Sequence, residues 1–284
     1  LGGHGTCAPV FQAVNVALHG LNGYLTYRLT RELGESAEVA LVVAALWLVF
    51  PGSVEAVTWL SGLHDVLMVT LVMSFLIAAS RGQSAVAIVC LVLATFSKET
   101  AVCTPVLLLL LRFRRRIATP LIVTAFAWCL LFGLARLAFK PTDGLFEPLT
   151  GFLAKNLLAS LYGSLAMPWT REQMFAYPWL LSTLVIATAM VFSLAIARLS
   201  DRAMWTNAAI GCAWALAAAL PLYRFFYVAP DLLGSRYLYL PAVGWSLAIV
   251  STALRHPNLT GRIAIAVLVC AGGMGRVVQR HRWG

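Results

Sequence analysis

Glu55, Asp65, Lys98, Glu99, Arg224, Arg236 and Tyr237 stand in or beside short polar islands of an otherwise apolar chain. Their types define a chemistry. Glu55 and Asp65 flank Trp59 and His64, and two such carboxylates can orient a polar acceptor or a sugar hydroxyl. Lys98, next to Glu99, can hold a phosphate as a point charge beside an orienting acid. Arg224 and Arg236 bracket a loop rich in Tyr and Phe, and a guanidinium fork suits phosphate bidentately. Tyr237 and its aromatic neighbours can stack on a sugar. Each feature also has a plainer reading. Glu55 and Asp65 can be a solvated turn and a helix cap. Lys98 and Glu99 can neutralise each other at a hairpin tip. The aromatics can form an interfacial belt.

The elements that must position these residues are membrane helices. Of the residues, 61% are hydrophobic and 11% charged, and the mean hydropathy is +0.84. That exceeds what a soluble chain of 284 residues carries. A hydrocarbon core of about 30 Å takes about 20 apolar residues per helix, and its lack of hydrogen-bond partners demands helical backbone. The expected class is all-α: a polytopic helical bundle of about ten segments, forming one domain over 1–284. The net charge of +10 fits cytoplasmic arginines, and no basic and aromatic stripe points to nucleic acid.

The expected segments are 10–29, 38–50, 63–80, 84–96, 100–111, 117–139, 179–198, 203–221, 237–254 and 262–278. Alternating sides puts Arg28, Arg31, Arg81, Arg112, Arg114, Arg115, Arg116, Arg198, Arg202, Arg255 and Arg262 on one face, which the positive-inside rule makes cytoplasmic. The opposite face receives Glu55, Glu99, Asp143, Glu147, Glu172 and Asp231, with Asp65 near its edge. Lys98, Arg224 and Arg236 fall there too, against the rule. Segments 84–96 and 100–111 are short, so the Ser97–Glu99 tip is expected below the outer surface. The 141–178 loop carries its own apolar stretch and reads as an interfacial helix.

Other signals are weaker. Asn15, His19 and Asn22 recur at helical spacing and are expected to bond a neighbouring helix. The six cysteines are scattered without metal or disulfide spacing, and the five histidines show no ligand pattern. Asn258-Leu259-Thr260 fits a glycosylation sequon but falls on the cytoplasmic face. The opening Leu1-Gly2-Gly3-His4-Gly5 reads as loop, so a preceding region is expected.

The islands resemble a family. Phe50-Pro51-Gly52-Ser53-Val54-Glu55-Ala56-Val57 through Gly62-Leu63-His64-Asp65-Val66-Leu67 is similar to the signature loop of the tetratricopeptide-repeat O-mannosyltransferase-like proteins and their bacterial relatives. That loop reads HP, two residues, EAV, then G-R-x-D-L-L. Here Phe50 replaces the His, and Leu63 or His64 the Arg. Phe96-Ser97-Lys98-Glu99 resembles the SKE turn. Ser235-Arg236-Tyr237-Leu238-Tyr239-Leu240-Pro241 resembles E-R-Y-L-Y-L-P, with Ser for Glu. Val14–His19 is similar to the opening helix, and Asn156–Trp169 to an outer-loop segment.

The resemblance implies a glycosyltransferase of the GT-C type. Such an enzyme moves a sugar from a polyprenyl-phosphate donor to a protein or glycolipid acceptor on the extracytoplasmic face, here of a bacterial inner membrane. It implies a catalytic acid in an outer loop ahead of Leu1, while no residue pattern points to a metal or other cofactor. Lys98, Arg224 and Arg236 would then meet phosphate charge, with Glu55 and Asp65 on the sugar or acceptor. A transporter or flippase of a lipid-linked or anionic substrate is the alternative, and a catalytically dead scaffold a third.

Overall fold

Apolar runs punctuated by glycine and arginine turns fold as helices with close to the expected bounds. The structure, a computed structural model, describes residues 8–139, 202–219, 221 and 234–254. The 141–178 loop, the segments at 179–198 and 262–278, and Arg224 lie outside the described residues.

Nine α-helices are described: α1 (Ala8–Glu32), α2 (Ala37–Leu48), α3 (Val54–Thr58), α4 (Leu63–Ser80), α5 (Ser84–Ser97), α6 (Thr104–Arg112), α7 (Thr119–Phe139), α8 (Arg202–Ala219) and α9 (Pro241–Leu254). Short 3-10 turns join several of them, at Pro51–Ser53, Leu60–Gly62, Glu99–Cys103 and Ser235–Leu238. No strand occurs among the described residues. Local chemistry sets the ends. Ser36 caps α2, its Oγ accepting from the Val39 N–H at 3.3 Å. Gly82, at φ 74°, turns the chain between α4 and α5 in a conformation that disfavours a side chain.

Helix α4 is the hub. Val66, Val69, Val72, Met73, Phe75 and Leu76 are fully buried, and α1, α5 and α6 pack around it. Helices α8 and α9 form a second tight pair. A Cβ on Gly211 would lie 2.5 Å from the Gly244 carbonyl oxygen, and one on Gly244 would lie 2.3 Å from that of Gly211. This is close approach through small residues, as membrane helices favour.

Two helical stretches, Leu60–Ser80 and Thr119–Arg136, are long and apolar enough to cross a membrane. Ala37–Leu48, Ser84–Ser97, Asn207–Ala219 and Pro241–Ser251 are apolar but shorter. The outer face of α7 exposes Val123, Phe126, Leu130, Leu131 and Leu134.

Among the described residues, the paired charged groups cluster at the two ends of the bundle. At one end Glu32 pairs with Arg81 at 3.4 Å and with Arg115 at 2.9 Å. Beside it the buried Glu35 carboxylate accepts from Asn207 Nδ2 at 2.6 Å and Ser251 Oγ at 3.0 Å, while Arg114 Nε donates to Asn207 Oδ1 at 3.0 Å. Arginines from two turns, Arg81 after α4 and Arg114 and Arg115 after α6, thus gather with the α1–α2 link at one end, as alternation of the segments leads one to expect. The other end holds Glu55, Asp65, Lys98 and Arg236.

Candidate functional site

Glu55 comes to the site on a broken helix. After α3 the chain becomes extended at Trp59 (φ −83°, ψ 138°), tightens into a 3-10 turn, and restarts at Leu63 as α4. Gly62 permits the fold-back, because a Cβ there would lie 2.1 Å from the Ala56 carbonyl oxygen. Gly52 lets the preceding turn sit on Phe50 and Leu238. The Pro51-Gly52 and Gly62 breaks therefore bend the loop, as the sequence leads one to expect, and set both carboxylates at one end of the bundle.

Lys98 caps α5 with extended backbone (φ −158°, ψ 135°), after which Glu99–Cys103 forms a 3-10 turn. Its ammonium reaches Asp65 Oδ1 in the first turn of α4. The other Asp65 oxygen, Oδ2, faces His64 Nε2 at 3.2 Å. Asp65 is nearly fully buried, whereas the His64 side chain is 44% exposed.

Gly234, at φ 84°, opens the 3-10 turn that carries Arg236 and Tyr237. Glu55 meets this turn twice. The Arg236 backbone N–H donates to Glu55 Oε2 at 3.1 Å, and the Arg236 guanidinium lies 3.7 Å from Oε1. Burial works against the Arg236 charge, but Tyr237 and Glu55 outweigh it and hold its pKa above the ordinary value.

Tyr237 joins the two ion pairs. Lys98 Nζ lies 5.6 Å from its ring centroid and the Arg236 guanidinium carbon 5.5 Å. Both are within cation–π range. The result is one aromatic ring with two cations against it, each backed by a buried carboxylate. Three buried polar atoms here lack a hydrogen-bond partner among the described residues: Asp65 Oδ2, Ser235 Oγ and Arg236 Nε. Buried polar atoms are normally bonded, so these are places where a polar ligand could complete the bonding.

A layer beneath holds the site in place. Trp47 Nε1 donates to the Tyr239 carbonyl at 3.1 Å, and Trp214 Nε1 to the Leu240 carbonyl at 3.1 Å. Asn15 Nδ2 donates to the Trp59 carbonyl at 2.9 Å and Asn22 Nδ2 to the Val66 carbonyl at 3.0 Å. His19 lies between Leu48 O at 3.1 Å and the Tyr239 hydroxyl at 2.8 Å. A carbonyl only accepts, so Nε2 carries the proton and Nδ1 receives the Tyr239 O–H. The Asn15, His19 and Asn22 seam thus bonds neighbouring segments, as expected from its spacing.

Of the candidate residues, Glu55, Asp65, Lys98, Arg236 and Tyr237 come together. Glu99 does not join them. It is 62% exposed and faces Arg136 at 3.6 Å, while Lys98 takes Asp65 instead. Arg224 lies outside the described residues. His64 is the residue that sequence reasoning passed over as a mere neighbour, although its place beside Asp65 at the start of a helix is visible in the chain.

No protein-family model, curated protein or solved structure matches this chain. The geometry of the site therefore has to carry the functional reading.

Proposed function

We propose that this chain is an integral membrane glycosyltransferase of the GT-C type. It takes a sugar from a polyprenyl-phosphate donor and delivers it to a protein or glycolipid acceptor on the extracytoplasmic face, in a bacterial inner membrane. The observation that carries the reading is Tyr237 with Lys98 and Arg236 against its ring, each cation backed by a buried carboxylate. A departing polyprenyl phosphate needs preorganised positive charge at its oxygens. An aromatic face beside that charge suits the sugar. Glu55 and Asp65 hold the cations in position in the free protein, and in this reading they orient sugar or acceptor hydroxyls once phosphate takes over the pairing.

The depth fits an enzyme working at one membrane face. Asp65 and Arg81 are 16 residues apart on α4, about 24 Å at 1.5 Å per residue. With Arg81 at the inner boundary of an about 30 Å core, Asp65 sits just inside the outer boundary. A lipid-anchored donor presents its phosphate at that level. In this reading the remaining short apolar helices belong to the same bundle of about ten membrane segments.

The test is direct transfer. The protein, reconstituted in vesicles, is offered a panel of radiolabelled undecaprenyl-phosphate sugars with a Ser/Thr peptide or an octyl glycoside as acceptor. Labelled product that disappears in Arg236→Ala supports the reading. Movement of the lipid-linked sugar between leaflets without any labelled product points instead to a transporter.

A further inference from the structure

The turn between α6 and α7 carries Arg112, Phe113, Arg114, Arg115 and Arg116 in a row, and the sequence has no acidic residue between Glu99 and Asp143. The five side chains divide into two sets. Arg114 Nε donates to Asn207 Oδ1 of α8 at 3.0 Å, and Arg115 Nε donates to the Glu32 carbonyl at the end of α1 at 2.7 Å. The Phe113 N–H donates to the Leu110 carbonyl, those of Arg114 and Arg115 donate to the Leu111 carbonyl, and Ile117 is buried behind the turn. The backbone is thus tied down. Arg112 and Arg116, in contrast, are exposed and have no ion pair or hydrogen bond among the described residues. Phe113, between them in sequence, is 76% exposed.

We propose that this turn binds the anionic headgroups of phospholipids in the cytoplasmic leaflet. The proposal rests on the membrane placement in the reading above and not on glycosyl transfer. Depth supports it. Glu32 meets Arg81 with one carboxylate oxygen and Arg115 with the other, at 3.4 Å and 2.9 Å, so the turn stands level with Arg81. With Arg81 at the inner boundary, that is the level of the lipid phosphates. The stretch that follows, Thr119–Arg136, is long and apolar enough to cross a membrane.

The chemistry points to anionic lipid in particular. Arginines clustered beside a membrane helix attract anionic headgroups. A guanidinium fork matches two oxygens of one phosphate. A choline headgroup carries its own cation and cancels that charge, whereas a glycerol headgroup leaves it net negative. Phe113 gains by leaving water for the boundary between headgroups and acyl chains, as apolar side chains beside basic ones do on interfacial helices. Arginines that served orientation alone would need only to stay in the cytoplasm. They would need neither a fixed turn nor an exposed phenyl ring among them.

The experiment is a scintillation-proximity assay on the full chain in detergent, with tritiated dioleoyl phosphatidylglycerol as the probe. Unlabelled phosphatidylglycerol should displace the probe. Dioleoyl phosphatidylcholine, and inorganic phosphate compared with sodium chloride at equal ionic strength, should not. An arginine at an anionic surface is worth about a fivefold change in affinity, so Arg112→Gln and Arg116→Gln should each weaken binding about fivefold and the double variant about 25-fold. Arg136→Gln, the same loss of charge at the other end of α7, should bind as wild type does. Thermal unfolding of the double variant should match wild type, since neither side chain has a partner among the described residues. Phe113→Cys carrying bimane, in a background with the other cysteines replaced, should be quenched by lipid spin-labelled near the headgroup and shielded from aqueous iodide. Wild-type affinity in the double variant, or equal displacement by phosphatidylcholine, overturns the proposal. Displacement by inorganic phosphate assigns the arginines to a soluble anion and overturns it too. Full quenching by iodide removes Phe113 from the membrane and overturns the docking of the turn. None of these outcomes depends on glycosyl transfer. A chain that is monodisperse without detergent would instead overturn the membrane placement, and both readings with it.

Discussion

Lys98 and Asp65, 33 residues apart in sequence, are joined as an ion pair whose side chains are 11% and 3% exposed. The pair ties the link between α5 and α6 to the first turn of α4. Removing one partner leaves a buried charge uncompensated, which costs about 3–5 kcal/mol. Lys98→Ala and Asp65→Ala should each lower the unfolding midpoint strongly. The double variant should lose less than the sum of the two. Additive losses in a double-mutant cycle would show that the pair does not couple.

Arg236 meets Glu55 through its main chain as well as its side chain, so the two contributions separate. Arg236→Ala keeps the backbone N–H to Glu55 but takes the guanidinium from a buried carboxylate, which should cost about 1–3 kcal/mol in stability. Donor transfer should also fall at least tenfold, and Arg236→Lys should recover only part, because a lysine lacks the planar fork. Equal activity of the Ala variant and wild type would remove Arg236 from phosphate binding.

Gly62→Ala tests the fold-back that sets the carboxylates. The new Cβ would lie 2.1 Å from the Ala56 carbonyl, so α3 must move away from α4. Strain of this kind costs about 1–3 kcal/mol. Glu55 rides on α3, so transfer should fall with stability. Gly52→Ala should act in the same direction against Phe50 and Leu238. A Gly62→Ala protein with wild-type melting and turnover would contradict the packing.

At the far end, Glu35 gathers the α1–α2 link, α8 and α9 around one carboxylate. Glu35→Ala leaves Asn207 and Ser251 with buried polar atoms lacking this partner, at about 1–3 kcal/mol each. Glu35→Gln preserves an acceptor and should cost less. Calorimetry or scanning fluorimetry that ranks the two variants the other way would refute the arrangement.

The membrane reading makes a labelling prediction. Arg116 and Glu99 are exposed residues at opposite ends of α6 and its leading turn. Arg116→Cys should react with an impermeant thiol reagent only from the cytoplasm, and Glu99→Cys only from outside. The test uses a background in which the four cysteines Cys90, Cys103, Cys129 and Cys212 are replaced, with Cys7 and Cys270 replaced as well. Reaction of both from one side would refute the alternating count.

Much of the scaffold was legible in the chain, because helix formation in apolar sequence is a local matter. Segment 63–80 appears with those bounds, and 84–96 and 117–139 differ from α5 and α7 by two residues or fewer at each end. Gly82 and the arginine turns are punctuation that needs no tertiary knowledge. The common end of Arg31, Arg81 and Arg115 follows from counting alternations, since each helix reverses the chain. The bend between Glu55 and Asp65 was likewise signalled by Pro51-Gly52 and Gly62.

The pairing of charges was decided elsewhere. Adjacency made Glu99 the natural partner of Lys98, and a self-neutralised tip was a reasonable alternative. The extended backbone at Lys98 and the 3-10 turn that follows instead leave Lys98 on Asp65 and Glu99 facing Arg136. Glu55 could have met any cation on its face, and the 3-10 turn at Ser235–Leu238 delivered Arg236. Apolar periodicity sets which stretches are helical and which end of a helix a charge occupies. It says nothing about how helices 30 to 180 residues apart are rotated against one another. That rotation comes from interlocking side chains and close glycine contacts, and only the assembled bundle brings Lys98, Arg236 and Tyr237 together.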